Sequence, residues 1–199
     1  MENFESNLLN YFKFLFQKCY TILCVDVEYI KMGIGLALYC IDNETCIANT
    51  DEAKCTIDAL ENMVLSPEVF YETYEYLYSF IKNENWRVRM QAILCAGMLT
   101  TRMTMVIGFD KVGHDMLSHE LMYDDELRIR RILVVMLESV FNIQPVDRRS
   151  ELINEYKAKV EQLKKNHKDD PVKFHGLMCV LMAILYSSSY DIFGKLLNI

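Results

Sequence analysis

Helix breakers are scarce in this chain: 199 residues contain only seven glycines and three prolines. With so few forced stops, and 12 Met, 12 Tyr and 10 Phe among a 52 % hydrophobic complement, the composition argues for long helices with short connections. Strict two-residue alternation is sustained nowhere, so no sheet is expected. The same apolar content excludes a disordered chain. Positive charge is also in deficit. A formal net charge of -7, with a pI near 5.2, disfavours general affinity for nucleic-acid backbones or anionic membranes.

No uninterrupted apolar run is long enough to cross a bilayer. The stretch from Leu8 to Val25 is broken by Asn10, Lys13, Gln17 and Lys18, and that from Ala92 to Phe109 carries Arg102. No cysteine pair has two residues between its members, which removes zinc-knuckle and redox motifs. Cys19, Cys24, Cys40, Cys46, Cys55, Cys95 and Cys179 are odd in number, and no secretory signal is read at the start. They are expected to be reduced, buried thiols of a cytoplasmic or nuclear protein.

Catalytic signatures are missing as well. There is no G-x-S-x-G, no Walker lysine and no H-E-x-x-H. Gly33 and Gly35 lack a third glycine and a preceding strand, so they read as points of close helix approach. His114 and His119 flank Asp115, with Asp124 nearby, but a five-residue step puts helical side chains on different faces. His175 and Cys179 share one face of a helix, without an identifiable third group to orient them. No catalytic, cofactor-binding or metal residue is therefore assigned, and an enzyme is not expected.

What is present is helical periodicity. Phe70, Tyr74, Leu77 and Ile81 form one apolar stripe, introduced by Ser66 as N-cap and Pro67 in the first turn. Ile129, Ile132/Leu133, Met136/Leu137 and Val140 form a second; Leu177, Val180/Leu181 and Ile184/Leu185 form a third. Two helices are expected in the first forty residues, Asn7 to Cys24 and Val27 to Ile41, followed by a polar loop from Asp42 to Asp51. The charged segment Asp147 to Lys168 keeps a seam of Leu152, Tyr156, Val160 and Leu163, giving an amphipathic helix or a charged linker. Its Lys164, Lys165, His167 and Lys168 suit a solvated helix end or an acidic partner. Tyr71, Tyr74, Tyr76 and Tyr78 crowd one helix, which suggests an exposed aromatic patch for a partner.

The chain also repeats itself. Asn83-x4-Val88-Arg89-x2-Ala92 recurs 41 positions later as Asp124-x4-Ile129-Arg130-x2-Leu133. Val172-Lys173-x2-Gly176, after Asp169-Asp170-Pro171, gives a weaker third copy 43 positions further on. Periods of about 40–47 residues are those of HEAT and armadillo helix pairs. The turn Asn or Asp is expected to cap the second helix, and the Arg to bridge turn acids between repeats. The resulting expectation is an all-α fold, a HEAT-like α-solenoid of stacked antiparallel helix pairs. It is one domain over 1–199, with N-terminal helices over 1–65 and repeats over 66–199. The helices beginning near Trp86, Glu126 and Val172 should lie parallel on one layer.

Three blocks resemble a known family. Asn85-Trp86-Arg87-Val88-Arg89, then Leu121-Met122-Tyr123-Asp124-Asp125-Glu126-Leu127-Arg128-Ile129-Arg130, then Val172-Lys173-Phe174-His175-Gly176-Leu177 with Tyr190-Asp191-Ile192, are similar to the C-terminal region of the giant HEAT-repeat proteasome activators. That is the Blm-ten family, also called proteasome activator complex subunit four. Its members are much longer single-chain solenoids that cap the core particle's α-ring without ATP and influence entry through the gate. The resemblance implies a protein-binding scaffold whose partner is the core-particle α-subunits, with no cofactor, nucleic acid or membrane. The family's terminal hydrophobic-Tyr-any motif has no match in Leu197-Asn198-Ile199, and Phe193 replaces the Pro after its Tyr-Asp turn. Gate opening by a terminal anchor is therefore not carried over. The alternatives are a HEAT adaptor of a ribosome or transport complex, or a viral Bcl-2-like bundle that binds a partner helix.

Overall fold

The computed structural model describes residues 2–18, 26–43, 47–60, 63, 65–107, 121–142, 146–166 and 170–187. Among these residues the chain is all-helical, as expected, and has no strand. The α-helices are α1 (Glu2–Lys18), α2 (Val27–Asn43), α3 (Ile47–Ala59), α4 (Pro67–Tyr78), α5 (Trp86–Ile107), α6 (Leu127–Asn142), α7 (Val146–Asn166) and α8 (Pro171–Ser187). A 3-10 turn, Ser79–Lys82, extends α4. No helix among the described residues is long and apolar enough to cross a membrane. The chain divides into two compact units, Met1–Ile107 and Gly108–Ile199, a division that falls inside the stretch expected to carry the repeats.

In the first unit, α3 packs against both α1 and α2. The Thr56 hydroxyl donates to Leu9 O at 3.1 Å, and Lys13 Nζ lies 3.6 Å from Glu52 Oε2. Numbers rise along one helix as they fall along the other, so α1 and α3 are antiparallel. The α2–α4 contact has the opposite sense. Lys31 Nζ meets Glu72 Oε2 at 3.1 Å, and one turn later a Cβ on Gly35 would stand 2.6 Å from Tyr76 Oη. Each pair is 41 residues apart, so α2 and α4 run in the same direction. A Cβ on Gly33 would stand 2.5 Å from Phe16 Cζ, so both glycines make room for an aromatic side chain of a neighbouring helix.

The start of α4 follows from local chemistry. Ser66 Oγ accepts from Val69 N at 3.4 Å, and Pro67 occupies the first turn, where its missing N–H costs nothing. Phe70, Tyr74, Leu77 and Ile81 are then all buried, each contributing about 1.5–3 kcal/mol of transfer free energy. Helices α4 and α5 pack together as a pair.

In the second unit, α8 packs against both α6 and α7. Arg149 Nη1, in the first turn of α7, donates to Ser187 O at the end of α8, at 2.8 Å. The two helices are therefore antiparallel. The N-terminal ends of α6 and α8, by contrast, lie together: Gly176 is so close to Met122 O that a Cβ would overlap that carbonyl. The seams of α6 (Ile129, Leu133, Leu137, Val140) and α8 (Leu177, Val180, Leu181, Ile184) are buried, as their spacing predicts. In α7, Leu152, Tyr156 and Val160 are buried, and the charged residues other than the buried Arg149 lie on the wetter side. Surface pairs such as Lys159–Glu155 at 2.6 Å contribute about 0–1 kcal/mol there.

Two expectations are corrected. The polar stretch Asp42 to Asp51 is not one loop, because α3 already begins at Ile47 and buries Ala53, Thr56, Ile57 and Ala59. Helix α1 begins at Glu2, about a turn before Asn7.

Candidate protein-binding site

The sequence repeat reappears as a repeated hydrogen-bond network. In the first copy, Asn83 Oδ1 accepts from Asn85 N at 2.8 Å, and Asn85 Oδ1 accepts from Arg87 N at 3.0 Å. In the second, Asp124 Oδ1 accepts from Glu126 N at 2.8 Å, and Glu126 Oε1 accepts from Arg128 N at 3.2 Å. Arg89 then folds back to donate to Asn83 O and Glu84 O at 2.7 and 2.9 Å. Arg130 does the same to Asp124 O and to Asp125 O, the latter at 3.1 Å.

This network corrects two assignments. Asn83 and Asp124 form a side-chain turn leading into the helix, while Asn85 and Glu126, two residues on, are the caps. Both arginines bind backbone carbonyls of their own turn, a role the expected bridge to acids between repeats did not include. In both copies a single nitrogen, Nη1, donates to two successive carbonyls. The third copy is built differently. Asp170 Oδ1 accepts from Lys173 N at 3.0 Å, an ordinary cap, and these bonds hold the carboxyl below the usual range. Lys173 stands at the position of the folding-back arginine, and its Nζ meets Asp170 Oδ2 at 3.0 Å instead of turn carbonyls.

Arg130 reaches further. Its Nε–H donates to His175 Nδ1 at 3.1 Å, and Cys179 Sγ lies 3.6 Å from the same nitrogen. Burial, followed by the charges of Arg130 and Arg131, lowers the proton affinity of His175. Burial raises the Cys179 thiol above its ordinary value, against the pull of the same two arginines. The third group beside His175 and Cys179 is thus Arg130, which sequence spacing did not identify because it lies 45 residues away. Since Nδ1 already accepts from a guanidinium, it is a poor base for the thiol, and the thiol is buried. The arrangement ties the N-terminal turns of α6 and α8 together.

Among the described cysteines, Cys40, Cys95 and Cys179 are buried thiols in no disulfide, while Cys55 is exposed, against expectation. Burial pushes the Cys95 thiol far up, and Asp58 adds to it. His114, Asp115 and His119 lie outside the described residues, as do Cys19, Cys24, Cys46, His167, Lys168 and the Tyr190-Asp191-Ile192 block. Lys164 and Lys165 are exposed in the last turn of α7.

The aromatic crowding of α4 gives little free surface. Tyr74 is buried and stacked with Tyr78 at 6.4 Å between ring centroids, and Tyr76 lies edge-on to Phe80 at 5.2 Å. Only Tyr71 of the four is exposed. Large exposed apolar side chains instead form rows on other helices. Phe4, Tyr11 and Phe14 lie on α1; Tyr29, Met32 and Tyr39 on α2; Met178, Met182 and Tyr186 on α8. Sequence periodicity missed these rows because each belongs to a helix that is apolar on more than one side.

Compared with family models, curated proteins and solved structures, the chain gives no match.

Proposed function

We propose that the chain is a non-enzymatic, intracellular protein-binding scaffold of HEAT-like stacked helix pairs, and that its partner is the α-ring of the proteasome core particle. The observation that carries the scaffold reading is same-direction packing of helices separated by about one repeat. Helices α2 and α4 meet at an offset of 41 residues, and α6 and α8 at 45, with α7 packed antiparallel on α8. A solenoid is built in this way, each pair leaving an apolar face for the next to cover. The turn network repeated at 41 residues supports the same reading from local chemistry.

The core particle as partner is supported by the three-block resemblance, and the packing alone would equally suit a HEAT adaptor of another assembly. A Bcl-2-like bundle wraps its helices around one central helix. Helix α8, the most apolar here, leaves Met178, Met182 and Tyr186 in solvent, which counts against that bundle. The test is affinity purification from native cells with cross-linking and mass spectrometry. Cross-links from this chain to core-particle α-subunits are expected. Cross-links confined to ribosomal or transport complexes would replace that partner with the adaptor reading.

A further inference from the structure

Helix α1 carries two apolar faces. Leu9, Phe12 and Phe16 are buried on its inner side, which packs against α3. On the outer side Phe4, Asn7, Tyr11 and Phe14 follow at steps of three, four and three, and all four are exposed. Their rings stand 71 %, 55 % and 59 % in solvent. A strict three-four-three step is the narrow seam of a two-helix coiled coil, as distinct from the broad stripe that faces a core. Between Asn3 and Gln17 the only charged residues are Glu5 and Lys13, and both fall on the opposite side of the helix from this seam.

The chemistry of the seam points to its own copy as the occupant. It offers no charge to hold an acidic or basic partner, or a lipid headgroup. Its one amide, on Asn7, both donates and accepts, and so needs a group of the same kind opposite. A second α1 laid antiparallel, with the two-fold axis level with Leu9, sets Phe4 against Phe14 of the other copy and Asn7 against Tyr11. Rings then meet rings, and the amide meets the phenol hydroxyl. Charge selects this direction. Glu2 and Glu5 precede the seam's midpoint while Lys13 and Lys18 follow it, so a parallel pair would bring like charges together at both ends. Lys13 already reaches Glu52 of α3 in its own copy, so these charges favour the direction more than the affinity. Rings of about 200 Å² each, exposed to the stated extents, leave roughly 370 Å² per copy, and a symmetric pair buries about 750 Å² before Asn7, Leu8 and Leu15 are counted. That approaches the roughly 1,000 Å² of a specific contact, at the weak and reversible end.

We propose that the chain forms a reversible homodimer by antiparallel packing of α1 on α1 along the Phe4-Asn7-Tyr11-Phe14 seam. The proposal does not depend on the solenoid reading or on the core particle as partner. Asn7 sets the register and weakens the pair, as a single polar residue does in a coiled-coil seam. Tyr11, held edge-on to Phe12 at 5.7 Å between ring centroids, is the rigid anchor. A dimer presents the rest of the chain twice, so a partner with repeated sites is held with avidity.

The test is sedimentation velocity of the full chain from about 1 to 300 µM, where a monomer–dimer equilibrium is expected with its midpoint at about 1–100 µM. Tyr11→Glu and Phe14→Glu should each raise that midpoint at least about tenfold while leaving the melting curve of the monomer as it is in the parent. Asn7→Leu, which replaces the polar layer with an apolar one, should lower it at least about tenfold. If either glutamate variant melts early, Asn7→Leu carries the test, because it adds no charge. A photo-cross-linking benzoylphenylalanine at position 14, in a mixture of isotopically light and heavy chains, should capture the segment around Phe4 of the other copy. A chain that stays monomeric throughout, a midpoint that none of the three substitutions moves, or capture from position 14 to position 14 would overturn the proposal. So would a monomeric parent that binds neutral phosphatidylcholine vesicles and loses that binding with Tyr11→Glu, since a lipid surface would then be the occupant.

Discussion

Arg130 concentrates more structure than any other side chain in the second unit. It is 7 % exposed, holds two turn carbonyls with Nη1, and spends Nε–H on His175 of another helix. Truncation removes the donor that those three acceptors share, and charge-assisted bonds of this kind are worth about 1.5–3 kcal/mol each without being additive. Arg130→Ala is expected to cost about 2–3 kcal/mol in denaturant unfolding. Arg89→Ala, made at the half-buried counterpart, should cost less. Partner affinity measured where the Arg130 variant remains folded should be unchanged; a large loss there would move Arg130 from scaffold to interface. His175 supplies a pH test of the same contact. Its folded proton affinity is lowered, by burial first and then by Arg130 and Arg131, while the unfolded imidazole titrates near about 6.5. The unfolded chain therefore binds the proton more readily, so His175 contributes stability above that pH which is lost as pH falls through the folded value. Melting temperatures from pH 7 to pH 5, both approximate brackets around that pKa, should fall more steeply for the parent than for His175→Gln. Equal slopes would remove His175 from the linkage.

At the level of the helix, what was legible depended on how local the determinants are. Ser66 and Pro67 announce α4, and the Asn83 and Asp124 motifs announce α5 and α6, because capping and turn bonds join residues only two to six apart in sequence. Helix α3 was partly misread as loop. Its first half mixes Ile47 and Ala48 with Asn49, Thr50, Asp51 and Glu52, and its buried face is made of small or mixed residues (Ala53, Thr56, Ile57), so the apolar stripe is faint. The Arg130–His175–Cys179 contact and the exposed row of α8 were illegible for another reason: both depend on which sides of α6 and α8 face each other, and that is decided by packing across 45 residues. Arg149 is a comparable long-range device. It is 9 % exposed and closes the C-terminus of α8 from α7 through Ser187 O, 38 residues away. Its Nε finds no hydrogen-bond partner, a cost the site already carries. Arg149→Ala should lower stability by about 1–3 kcal/mol and speed hydrogen exchange in the last turn of α8. Arg149→Lys, which can keep one donor to Ser187 O while dropping the orphan Nε, should lose less than half of that amount. If Ala and Lys cost the same, the bond to Ser187 is not what holds the helix end.

Across the whole molecule, the solenoid reading makes a claim about how stability is distributed. Repeat arrays are held by contacts between neighbours, so damage to one pair weakens that pair and those beside it without reaching the far end. A single central core would spread the same damage everywhere. Gly176 offers a clean place to ask, because an added Cβ would run into the backbone carbonyl of Met122, and neither that carbonyl nor the start of α8 can move without opening the α6–α8 contact. Overpacking of this sort costs about 1–3 kcal/mol, and a clash with backbone belongs at the upper end. Gly176→Ala should therefore lower amide protection throughout α6, α7 and α8, since α8 is the helix on which the other two pack. Protection in α1, α2 and α3, whose contacts run through Thr56–Leu9 and the Gly33–Phe16 approach, should stay as it is in the parent. Native-state hydrogen exchange with peptide-level resolution reads both regions in one experiment. An equal fall in protection from α1 to α8 would mean one cooperative core, and the stacked-pair architecture would have to be abandoned.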